Sequence, residues 1–128
     1  MNILIDVSPG ELVDKLTILE IKLKNITDPS KLSNIRREYE LLETVSRANI
    51  AETAELAALT ADLKRTNEQI WNLEDDIREH ERTGNFGASF VALARSVYRT
   101  NDKRAALKRQ INDLLGSAIV EEKSYAKY

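Results

Sequence analysis

Several side chains of this 128-residue chain are polar where an apolar stripe should run. Asn101, Arg104, Lys108 and Asn112 fall on successive turns and project in nearly the same direction as Phe90, Val97 and Leu115. Asn67, Glu74, Arg78 and Glu81 lie within or beside the stripe of Leu63, Ile70 and Ile77, and Trp71 flanks it. Glu11, Asp14 and Lys15 add a third set near the start. Burying such groups is costly unless they are paired. One chemistry that meets this cost is a closed network. Glu74 then pairs with Arg78 or Arg104, the asparagines satisfy neighbours, and the network sets helix register. The other is a pocket. Arg78, Arg104 and Lys108 then form a basic wall for a carboxylate or phosphate, and Trp71, Tyr98 or Tyr39 supplies a flat apolar surface. A protein-binding or dimer surface is the third reading. The candidate anion-binding or polar-network set is Lys15, Trp71, Glu74, Arg78, Tyr98, Asn101, Arg104 and Lys108.

Acidic residues raise a separate question. Glu11-x-x-Asp14, together with Glu74 beside Asp75 and Asp76, could offer oxygen ligands to magnesium. The candidate metal set is therefore Glu11, Asp14 and Glu74. Carboxylates at this spacing also occur on exposed helices, so no cofactor is the primary expectation and magnesium the alternative. The single histidine, His80, reads as a seam or surface residue near a helix end. One histidine and no cysteine exclude two-histidine sites, thiolate catalysis and cysteine-ligated zinc. Gly84-Asn85-Phe86-Gly87 is a turn and not a phosphate cradle. Arg95, Arg99, Lys103 and Arg109 tend outward, but Asp102 and Asp113 dilute them. The formal charge is −2, so nucleic acid is not an expected partner.

The elements that must position these groups read as helices. Leu, Ala, Glu and Lys are common, with only four glycines and two prolines. Residues 1–7 alternate in polarity and predict an extended arm, with Ala118-Ile119-Val120 as its only obvious pairing partner. Ser8, Pro9 and Glu11 predict a capping box opening a helix over 9–26. That helix is apolar on two sides, so it is central or sandwiched in a dimer. Asp28-Pro29 restarts the chain, and 29–82 reads as one long helix or two, broken near Ser46 to Asn49. Leu56, Leu63, Ile70 and Ile77 repeat every seven residues, as in a coiled coil. Gly84 stops this limb, a last helix runs over 87–115, and 117–128 is a tail.

The run SPGELVDKLTILEIK (8–22) resembles the opening of a family of small bacterial proteins of unknown function, DUF6165. IRREYELL (35–42), NEQIWNLEDDIR (67–78), ARSVYRTNDKRAALKRQIN (94–112) and GSAIVEEKSY (116–125) resemble its other shared blocks, so the likeness spans the chain. It brings no activity, cofactor or catalytic residue with it. The blocks contain Glu11, Asp14, Lys15, Trp71, Glu74, Arg78, Asn101, Arg104 and Lys108.

The expectation is one all-α domain: an antiparallel bundle of about four helices with a long coiled-coil-like limb and a short extended N-terminal arm. A homodimer is expected, because the first helix and the 56–77 repeat both need cover. No apolar run reaches membrane-spanning length, and the opening MNILIDV lacks a secretion signal, so the expected location is the cytoplasm. The expected function is a non-catalytic interaction module or a small-anion-binding module, with a protein partner or a small anionic ligand. The alternative is an enzyme acting on a phosphorylated or carboxylated metabolite. There Arg78, Arg104 and Lys108 hold the anion, and Glu74 or Asp14 is the acid–base group or metal ligand.

Overall fold

A computed structural model describes residues 1–128. It contains four helices: α1 (Pro9–Asn25), α2 (Pro29–Asn49), α3 (Ala54–Thr83) and α4 (Ala88–Leu114). Each start has a local cause. The Ser8 hydroxyl accepts from the Glu11 amide at 3.2 Å, and Pro9 takes the first helical position. Asp28 caps α2 by accepting from the Ser30 amide at 2.9 Å, again with proline next. Gly84 ends α3 at φ +69°, a conformation that a Cβ would strain, and the Asn85 amide reaches back to the His80 carbonyl.

Some expected boundaries move. The first helix ends at Asn25, with Ile26 as its cap, and the last occupies 88–114 as one unbroken helix. The long limb is two helices, broken at 50–53 instead of 46–49. Thr53 makes this break: its hydroxyl accepts from the Leu56 amide at 3.1 Å. The arm pairs with nothing. Residues 1–7 make no backbone hydrogen bond, and neither they nor 118–120 form a strand. Only half of the expected capping box forms, because the Glu11 carboxylate turns to α4 instead of back to the cap.

α1 is the centre. It holds seven of the sixteen buried residues and touches all three other helices. α3 and α4 form an antiparallel hairpin, with His80 beside Phe90 near the turn and Leu63, Leu107 and Ile111 packed at the far end. α1 lies against the open end of that hairpin. The core there is Val13, Leu56, Leu63, Leu107 and Ile111. Length explains the asymmetry. α3 has 30 residues and α1 only 17, about 45 Å against about 25 Å. Beyond Asn67 the hairpin covers only itself, and no residue from 68 to 106 is buried. α2 packs on α1 and on no other helix, burying only Ile35. No helix is long and apolar enough to cross a membrane.

Candidate functional site

The α1–α4 contact begins with a missing side chain. A Cβ on Gly10 would sit 2.5 Å from the Lys108 carbonyl oxygen and 2.7 Å from Asn112 Oδ1. Without it, the Gly10 amide donates to Asn112 Oδ1 at 2.7 Å. The two helices therefore approach closely and run antiparallel, which sets one polar residue of α1 against each turn of α4. Glu11 meets Lys108 at 2.7 Å, and Asp14 meets Arg104.

Asp14 is the hub, with its side chain 1% exposed. Arg104 grips it with two parallel bonds, Nε to Oδ1 at 3.0 Å and Nη2 to Oδ2 at 2.5 Å. Asn67 of α3 donates to Oδ1 at 2.9 Å and to the Thr17 hydroxyl at 3.0 Å. The Thr17 hydroxyl in turn donates a hydrogen bond to the Asp14 backbone carbonyl at 2.8 Å. Lys108 Nζ stands 3.9 Å from Asp14, and Glu121 of the tail comes within 3.6 Å of the same ammonium. No buried side-chain nitrogen or oxygen is left without a partner.

Burial pushes the Asp14 carboxyl up, but hydrogen bonds from Arg104 and Asn67 and the charges of Arg104 and Lys108 outweigh it. The group is held below the ordinary aspartate range. The same pair raises Arg104, first through its hydrogen bonds to Asp14, so the guanidinium stays charged. Two carboxylates thus face two cations across α1 and α4, a near-neutral cluster that ties α1, α3 and α4 together.

The expected residues divide. Asp14, Arg104, Lys108, Glu11, Asn67 and Asn112 come together. Glu74 does not join them: it pairs with Arg78, four residues along its own helix, at an exposed position. Lys15 is exposed, 3.9 Å from Glu11. Asn101 is half-buried and outside the cluster, while Tyr98 is exposed, its ring edge-on to Tyr128 at 5.2 Å. The expected basic wall forms only in part: Arg78 and Arg104 line one groove, Arg104 while holding Asp14, but Lys108 is turned onto Glu11 and lies outside it. The candidate metal set is not brought together either. Glu11 and Asp14 meet cations, Glu74 is elsewhere, and no three acidic or histidine side chains form a group that could hold a metal ion. Gly10, Thr17 and Glu121 join the cluster without having been expected there. Gly10 carried a signal, a glycine in the first turn of a well-capped helix.

Two grooves flank α1. The smaller, about 380 Å³, is lined by Ile18, Ile21, Ile70, Trp71, Arg78 and Arg104 among others, with Glu74 and Asp75 at its side. Arg104 uses two of its five N–H donors on Asp14. The larger groove, about 670 Å³, opens between α2 and α3 and is floored by Val13, Leu16 and Thr17 of α1. Ile50, Leu56, Ala57 and Ala61 continue its apolar surface. Glu20 bridges its far edge, accepting from the Tyr39 hydroxyl at 3.3 Å and pairing with Lys64 at 2.9 Å. Burial, then the charges of Glu20 and Glu43, raise the Tyr39 phenol, which keeps it a donor.

No curated protein and no solved structure matches the chain. One family model does, the family of unknown function DUF6165, over residues 3–128. That span takes in residues 3–7 of the exposed arm, the cluster, both grooves and the tail, and the chain belongs to this family.

Proposed function

We propose that the chain is a non-catalytic, cytoplasmic interaction module, whose larger groove receives an extended apolar segment of polypeptide. The groove itself carries the reading: about 670 Å³ between α2 and α3, apolar along its floor and polar along its rim. Ser46, Glu52 and Thr60 line it, and their side chains make no hydrogen bond or ion pair within the chain. An extended backbone needs partners for its amides and carbonyls, and such a rim supplies them. The buried charges point away from catalysis, because each is committed to a neighbour.

Selection from a random peptide library against the chain tests this. Ala57 is exposed in the groove, so Ala57→Trp fills it without touching the core. Selected peptides should alternate apolar and polar residues and bind the variant at least about tenfold more weakly. Peptides that bind both chains equally would sink the reading.

A second reading rests on the smaller groove. The uncommitted donors of Arg104 beside the Trp71 indole suit a flat ligand with a carboxylate, the chemistry of a small-anion site. Glu74 and Asp75 on the same wall oppose a dianion. A thermal shift with aromatic carboxylates that vanishes in Trp71→Ala would favour it.

A further inference from the structure

The chain displays a segment of the kind its larger groove would take. Residues 1–7 lie outside any helix and are mostly apolar, and Ile3, Leu4 and Ile5 are 75%, 97% and 75% exposed. Nothing in the chain covers them or pairs with their backbone. Yet the family match begins at residue 3, so the arm is part of what the family shares and not an appendage. From these observations we infer that the groove between α2 and α3 receives the N-terminal arm of a second copy, in a reciprocal exchange that makes a two-fold dimer. The inference rests on the interaction reading above and names the partner.

Direction favours exchange over closure within one chain. Ser8 is buried and Gly10 donates to Asn112, so the arm enters α1 on the α4 side. The groove lies on the α2 side, reached past Val13, Leu16 and Glu20. Size fits as well. Seven extended residues span about 23 Å, enough to run along two or three turns of α2. The seven arm residues and the sixteen that line the groove together match one side of a standard interface, about 20–30 residues. Chemistry fits too. Alternating side chains of the arm would face the apolar floor at Val13, Leu16 and Leu56. Its amides and carbonyls would meet Ser46, Glu52 and Thr60 on the rim. Asp6 would find Arg47 or Lys64 there. A two-fold exchange forms both contacts at once and leaves no open end, so it closes as a dimer.

The chain has no cysteine, so a pair can be introduced cleanly. Ile5→Cys and Ala57→Cys are made as two single variants, mixed and mildly oxidised, and the molar mass of the unmodified chain is measured by light scattering. The expected result is a dimer, with a disulfide between the two different variants when they are mixed. Ile5→Asp should raise the dimer Kd about a hundredfold or more, since two symmetric contacts each lose a buried isoleucine. Its helix content should not change, because Ile5 lies outside the helices and is largely exposed within one chain. A monomeric unmodified chain overturns the inference. So does a dimer unaffected by Ile5→Asp, or a mixture in which no disulfide joins the two different variants. If the chain is monomeric while library peptides still need an open Ala57 groove, only the arm assignment falls. If Ala57→Trp leaves peptide binding intact, the interaction reading falls with it.

Discussion

Arg104 and Asp14, 90 residues apart in sequence, are joined by two parallel hydrogen bonds of 3.0 and 2.5 Å across the α1–α4 seam. The pair lies where three helices meet, and one of its members is almost wholly buried. Removing either partner alone should therefore be far worse than removing both.

Arg104→Leu strands the Asp14 carboxylate with only Asn67 and a distant Lys108. The expected loss is about 3–5 kcal/mol in urea unfolding. Adding Asp14→Leu should recover most of it, because two apolar side chains can fill the same seam. Arg78→Gln is the control: its exposed pair with Glu74 should matter by no more than about 0.5 kcal/mol. Equal losses for Arg78→Gln and Arg104→Leu would overturn this account of the cluster.

The depressed Asp14 pKa makes part of the stability acid-labile. A carboxyl whose folded pKa lies below its unfolded value stabilises fully above the unfolded value, near pH 4, and the contribution is lost as pH falls through the folded one. Urea midpoints measured from about pH 5 to about pH 2 should fall steeply for the unmodified chain. In Asp14→Asn the profile should start lower and fall less. Identical slopes in the two proteins would show that other carboxyls control the acid limb.

Gly10→Ala tests the close approach of α1 and α4. The new methyl would press on the Lys108 carbonyl and displace Asn112 from the Gly10 amide. A loss of about 1–3 kcal/mol is expected, although alanine is the better helix former. A stabilised variant would mean that the helices have room to part.

Thr53→Ala removes the hydroxyl that caps α3. The expected cost is about 1 kcal/mol in thermal or urea unfolding. Thr53→Ser, which keeps a capping hydroxyl, should lose little of that stability. If both variants unfold like the unmodified chain, the start of α3 owes nothing to this side chain.

Local signals were legible in the sequence, and meetings between helices were not. Ser8-Pro9, Asp28-Pro29 and Gly84 announce helix ends because caps act within a few residues. The break at 50–53 escaped because no glycine or proline marks it, and Thr53 is one of many residues able to cap. Helical periodicity places Arg104 and Lys108 on one face of α4. It cannot say that this face meets α1, since that depends on α1 lying antiparallel to α4. Glu74 illustrates the converse. Its partner stood four residues away on the same helix, and that short route won over any reach to Arg104.

α2 rests on a single neighbour, so the molecule has two tiers of cohesion. Peeling α2 away would break one seam and leave the other three helices in mutual contact. Amide hydrogens along α2 should therefore exchange through partial openings, well before the protons of Leu63 or Ile111, which wait for global unfolding. Anything seated between α2 and α3 would fasten the loose tier to the firm one, and slowed exchange along α2 would record its arrival.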